Sequence, residues 1–147
     1  MPATSTLVAI ADAVVAELNA GAGAFSQAFT AQRYYLPVFD LGEMKDLHVS
    51  VVPKGVAVQP AGRTLLQHDY SIDVAVQKKA PPETANTIDG LMVLVEEIAA
   101  FFKLRPLTAV PNAIWVKTEH APVYSPEHLE QYRQFTSVIT LTFRVIQ

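Results

Sequence analysis

The run Gln67 to Lys79, QHDYSIDVAVQKK, constrains this chain more than any other feature, because it alternates between two faces along its length. His68, Tyr70, Ile72, Val74 and Val76 fall on one side, and Gln67, Asp69, Ser71, Asp73 and Gln77 fall on the other. That is the period of a strand with one buried face. A proline break and a strongly apolar helical pattern follow it, so the strand belongs to a sheet backed by helices, which is a scaffold rather than a reaction centre.

The remaining elements can be placed around this strand. Thr4, Ser5 or Thr6 can cap a first helix whose stripe is Leu7, Ile10, Ala11, Val14 and Leu18, with Gly21 as its stop. Residues 22–31 lack a period. A short extended piece is expected at Arg33 to Phe39, where Tyr34, Tyr35, Val38 and Phe39 favour strand and Pro37 marks an edge. Asp40 to Asp46 reads as a turn, and Leu47 to Val52 as a strand with Leu47, Val49 and Val51 on one face. If Pro60 to Arg63 form the next loop, Gln59 faces Thr64, and Leu47, Val49 and Val51 lie opposite Val76, Val74 and Ile72. The apolar phase slips between Val51 and Val56, which predicts a bulge or kink at Pro53 to Gly55. The bulge would aim the hairpin Gly55 to Leu66 away from the sheet as an arm.

Lys78 to Asn86, with Pro81 and Pro82, reads as a polar linker, and Thr84, Asn86 or Thr87 can cap the second helix. Ile88, Leu91, Met92, Val95, Ile98, Ala99 and Phe102 follow helical spacing closely. Leu94 and Phe101 widen that face beyond what one sheet needs, so the flank should touch either the first helix or a second subunit. Ala113 to Glu119 reads as a strand with Ile114, Val116 and Thr118 on one side and Trp115 and Lys117 on the other. Ser125, Pro126 and Glu127 give a cap, a proline at the first helical position and an acid in the first turn, so a short helix is expected to about Tyr132. Gln134 to Ile146 alternates Phe135, Ser137, Ile139, Leu141, Phe143 and Val145 against a threonine stripe. The expected fold is α+β: a mixed, largely antiparallel sheet of about four to five strands packed by two main helices, with a projecting β-hairpin.

Composition sets the limits on function. The 147 residues suit one domain, spanning residues 1–147. A net charge of −3 and a pI near 5.7 leave no basic excess for gripping phosphates. Zero cysteines rule out disulfides and thiolate ligands. The first twenty residues carry no basic n-region, so no signal peptide is read, and no stretch has the length of a membrane span. Half the residues are hydrophobic and only 17% are charged, an apolar surplus that a partner subunit would bury.

Nothing in the spacing names a reaction. Glu119-His120 and Glu127-His128 flank a proline loop and in principle offer zinc four ligands, but no rigid short spacing joins them, so they read as solvent-exposed loop histidines. His68 and Asp69 point to opposite faces of a strand, which leaves His68 as a satisfied inner-face histidine, and His48 lies near the outer face. Glu96 and Glu97 diverge on a helix and read as solvated. Lys54, Arg63, Lys78 and Lys79 are scattered cations rather than a nucleic-acid patch. Tyr34, Tyr35 and Trp115 suit either a core or an interface.

The segments VAIADAVVAELNA, LHVSVVPKG, QHDYSIDVAVQKK, LMVLVEEIAAFF and YSPEHLEQYRQFTSVITLTFRV together resemble the tail-terminator or tail-completion proteins of tailed bacteriophages. The resemblance rests on element order and the character of these segments, without a short signature motif. It implies a non-enzymatic virion protein with no cofactor and no catalytic or metal residues. Such a protein assembles with itself as a ring, expected to be hexameric, at the head-proximal end of the tail tube. There it would stop tube growth, meet the tail-tube protein and the neck or connector protein, and let DNA pass through its lumen without specific binding. It implies assembly in the bacterial host cytoplasm, residence in the virion tail or neck, and no membrane. Lys54, Val56, Val58, Arg63, Lys78, Lys79, Leu94, Phe101, His120 and Tyr124 are then the candidate interface residues. The Gly55 to Leu66 arm, the Pro81-Pro82 linker and the Glu119 to Ser125 loop are the candidate contact segments. A head–tail connector or stopper is the rival within this class. From other classes, the rivals are a small metal- or ligand-binding domain built on His120 and His128, and a nucleic-acid-binding module.

Overall fold

A computed structural model describes residues 5–35, 45–80, 85–120 and 123–147. Helix α1 spans Thr6–Ala20, followed by a 3-10 turn at Ala22–Ala24 and the short strand β1, Ala31–Arg33. Two long strands, β2 (His48–Pro60) and β3 (Leu66–Lys79), form a hairpin that leads to helix α2, Ala85–Phe102. Strand β4 (Ile114–Glu119), helix α3 (Pro126–Tyr132) and strand β5 (Gln134–Ile146) complete the order. The fold is α+β, with a mixed five-stranded sheet ordered β1-β2-β3-β5-β4. β1 runs parallel to β2, and every other pairing is antiparallel.

Local chemistry accounts for the helix ends. Ser5 caps α1 by accepting from the Val8 amide, and Ser125 caps α3 by accepting from the His128 amide. Pro126 occupies the first turn of α3, where no amide is needed, and Glu127 faces the positive end of the helix dipole. Gly21 ends α1 at φ −93°, so its role is not left-handed geometry. A Cβ there would lie 2.6 Å from Phe101 Cζ, and only glycine allows that approach.

The core lies between α1, α2 and one face of the sheet. Ile10, Val14 and Leu18 of α1 and Leu91, Val95, Ile98 and Phe102 of α2 pack on Val49, Val51, Ile72, Val74, Ile139, Leu141 and Phe143. Each fully buried aliphatic or aromatic side chain contributes about 1.5–3 kcal/mol. The alternation expected in β3 and β5 is observed, with His68, Tyr70, Ile72, Val74 and Val76 sharing a face with Phe143, Leu141 and Ile139. The edge strand β1 is tied to α1 by side chains. Asn19 donates to the Ala31 carbonyl at 3.1 Å and accepts from its amide at 2.9 Å, and Arg33 Nε lies 2.6 Å from Asp12.

Several expectations are corrected. β1 starts at Ala31 and ends at Arg33, two residues ahead of the expected start; the part of the expected strand at 36–39 lies outside the described residues. So do the Thr4 and Thr84 caps, most of the turn at 40–46 and the Pro81-Pro82 linker. Asn86 and Thr87 sit inside α2 rather than capping it, and Lys78 and Lys79 extend β3 instead of opening a linker.

Gln59 pairs with Gln67, not Thr64, because the hairpin loop runs from Ala61 to Leu65 and Pro60 still pairs with Leu66. That is a three-position shift; the bulge takes one back, so Val49 faces Val76 and Val51 faces Val74, a two-position displacement from the expected register. The faces survive because the side-chain period is also two. The bulge falls at Pro53 to Gly55 as expected. A second register shift in β4 between Trp115 and Lys117 overturns the simple alternation there. It places Trp115 and Thr118 opposite Phe143 and Leu141 on the core side, joined by a 2.9 Å bond from the indole to the threonine hydroxyl.

The wide face of α2 is satisfied within the chain. Leu94 is fully buried, and Phe101 packs on Phe25 at 5.0 Å and under the Arg105 guanidinium at 3.6 Å.

Candidate functional site

Two surfaces collect the exposed residues singled out in the sequence. The first is the distal end of the β2–β3 hairpin. Beyond the bulge, Val56 pairs with Tyr70 and Val58 with His68, so both valines continue the core face. They stand 50% and 52% exposed. Leu65 and Leu66 are also exposed beside them, as is Arg63 in the loop. The hairpin is not a free two-stranded arm along its whole length. β5 follows β3 out to Gln67 opposite Ile146, and Leu66 and Gln147 exchange backbone bonds at 2.9 and 3.0 Å. His68 corrects its expected role, because its Nδ1 is buried with no hydrogen-bond partner among the described residues and its ring stacks 6.0 Å from Tyr70.

The second surface is a groove of about 410 Å³ on the opposite face of the sheet, lined by Lys54, Glu119, Tyr124, Ser125, His128, Thr136, Val138 and Thr140. The threonine stripe of β5 forms its base, and the residues that open α3 border it. Thr140 donates to Asp73 at 2.6 Å, Lys54 Nζ lies 3.8 Å from the same carboxylate, and Lys117 pairs with Glu119 at 3.0 Å. Farther along that face, Arg144 holds Asp69 through bonds of 2.8 and 3.2 Å. The Arg144 hydrogen bond lowers the Asp69 pKa, against the opposing effect of burial.

The histidines are not the solvent-exposed loop residues expected. His120 Nε2 lies 2.6 Å from the buried Ser137 Oγ, and Ser137 donates its hydroxyl proton to the Val123 carbonyl. With that proton committed, the imidazole must be the donor to Ser137, the reverse of the polarity a serine nucleophile and its base require. Burial is the main influence on His120 and lowers its pKa, while a hydrogen bond to the Val123 backbone and the charge of Glu96 oppose it. His128 Nδ1 lies 3.0 Å from Thr136 Oγ1. Among the described residues, no three His, Cys, Asp or Glu side chains gather to hold a metal ion. Glu97 is also not simply solvated, since it accepts from the amide and hydroxyl of Ser26 at 3.0 and 2.6 Å.

Of the expected interface residues, Lys54 and Tyr124 meet in the groove, while Val56, Val58 and Arg63 share the distal hairpin. Lys78 and Lys79 lie at the other end of β3, opposite Phe135 and Gln134. Leu94 belongs to the core and is closed to any partner. Leu104 and Ile114, 76% and 64% exposed, were not singled out. Pro106 signalled in sequence that α2 must stop before it, but the left-handed conformation of Leu104, φ 57°, carried no signal of its own.

No protein-family model and no curated protein sequence matches the chain. Among solved structures, the fold is similar to that of the sheath/tube terminator of an extracellular contractile injection system, PVC, seen in its extended state by cryo-electron microscopy. The TM-score is 0.51 at 16% identity, over 99% of this chain and 58% of that one. The chain therefore shares the fold of a terminator and spans little more than half the length of that protein.

Proposed function

We propose that this chain is a tail-terminator protein of a phage or phage-like tail, a structural component that forms a homo-oligomeric ring, hexameric by the resemblance, on the head-proximal end of the tail tube. The observation that carries this reading is the likeness to a sheath/tube terminator along nearly the whole chain. The exposed continuation of the core face at Val56 and Val58, with the unpartnered His68 Nδ1 behind it, supports a neighbouring subunit or tube contact. A buried polar atom left unpaired costs about 1–3 kcal/mol, which a covering partner that supplies a hydrogen bond removes. In this role the ring stops tube growth and presents its other side to the neck. DNA passes through a lumen that a chain of net charge −3 leaves without a basic grip.

Polymerisation of the cognate tube protein in the presence of the chain tests the proposal, with tube lengths read by negative-stain electron microscopy. The proposal predicts shortened tubes bearing a ring at one end. Tubes of unaltered length with bare ends would refute it and return the chain to the ligand-binding reading.

A further inference from the structure

Leu104 stands where glycine is preferred. α2 ends at Phe102, Pro106 forbids continuation, and the chain turns through Leu104 at φ 57°, a conformation that glycine adopts freely and leucine only against its own Cβ. The left-handed turn lets the Arg105 amide bond the Phe102 carbonyl at 3.1 Å, a closure that glycine would make equally well, while the leucine side chain itself is 76% exposed. Ile114, 64% exposed, lines a shallow groove of about 330 Å³ with Leu104, Arg105, Pro106 and Trp115. Cations rim this apolar patch. Lys103 is exposed, and Arg105 is oriented by the Phe101 carbonyl at 2.8 Å and by the Phe101 ring.

The other end of β4 carries the complement. There the groove of about 410 Å³ presents Tyr124 and Val138, 37% and 39% exposed. The adjoining α3 bears exposed Glu127 and Glu130. The groove's own Lys54 is occupied by Asp73 and its Glu119 by Lys117, so α3 sets the charge at the rim.

We propose that Leu104 of one copy seats in the Tyr124–Val138 groove of the next, with Lys103 and Arg105 against Glu127 and Glu130. The contact joins two different patches, so it is heterologous and repeats head to tail, which closes into a ring when the rotation allows. It names the subunit contact of the ring proposed above and rests on that reading. Leu104 places a large apolar side chain at a left-handed turn where the subunit leaves it 76% exposed, and a neighbouring copy would bury it.

Sedimentation velocity on the full chain, alone and with its tube protein, tests the contact. Leu104→Gly should hold or raise the melting temperature while weakening self-association about tenfold. Lys103→Glu and Glu130→Lys should each weaken association when alone. An equimolar mixture of the two should recover it, because every contact in an alternating ring then pairs opposite charges. Unchanged association of Leu104→Gly overturns the inference and leaves the ring standing. Loss of tube binding with self-association intact overturns it in favour of a tube-docking patch. A wild-type chain that stays monomeric at every concentration, with and without tube, overturns both the contact and the ring.

Discussion

At the scale of single residues, side chains take over tasks that backbone cannot complete. Asn19 supplies both partners for the backbone of buried Ala31, closing an edge that a strand as short as β1 cannot protect. Asn19→Ala should lower stability by about 1–3 kcal/mol, read as a fall in the urea midpoint, because a buried amide and carbonyl lose their partners. His120 gives a pH dependence of known sign. Its folded pKa lies below the ordinary 6.5, so between those values the unfolded chain binds the proton more readily. This contribution is complete above pH 6.5 and is lost as the pH falls from 6.5 toward the folded pKa. His120→Gln keeps a donor for Ser137 and should flatten that part of the profile; an identical acid slope in both proteins would contradict the assignment. Neither residue's role was legible in the sequence, because both depend on partners 12 and 17 positions away.

At the scale of elements, the long strands and the capped helices could be read because period and end signals agree. β3 and β5 alternate with one buried face, Ser5 and Ser125 cap the helices that follow, and the phase slip located the bulge. Pairing was harder to read. The loop at Ala61 to Leu65 moves the distal pairing by three positions and the bulge takes one back, and the remaining shift of two returns Val49 and Val51 to the core face. The bulge in β4 left no trace in sequence, since Ile114, Trp115 and Val116 are all apolar and either phase fits. The groove was half legible. Lys54, Tyr124 and the threonine stripe were evident separately, but only the sheet order brings β2, β4 and β5 onto one surface. Lys54 is the extra residue at the β2 bulge, between the Pro53–Ile72 and Gly55–Ser71 pairs. Its deletion should leave a regular ladder with every face preserved and a near-native melting temperature. The hairpin should lose local twist, and association should weaken. A grossly unfolded deletion variant by circular dichroism would show that the bulge stabilises the subunit instead.

At the scale of the whole molecule, one packed face of a five-stranded sheet builds the subunit, and the surfaces it leaves uncovered are suited to assembly. Val56 and Val58 stand exposed on the continuation of the core face, the other sheet face carries the Tyr124–Val138 groove, and Leu104 and Ile114 are exposed together beyond α2 and at the start of β4. These features sit on a fold similar to that of a sheath/tube terminator, and they include six of the large hydrophobic side chains that the subunit leaves exposed: Val56, Val58, Leu104, Ile114, Tyr124 and Val138. Native mass spectrometry of the purified chain, alone and mixed with the tail-tube protein proposed as its partner, tests the assembly claim most directly. The account predicts a closed oligomer, hexameric by the resemblance, either in isolation or on meeting the tube; a strict monomer that ignores the tube protein at every ratio would contradict it.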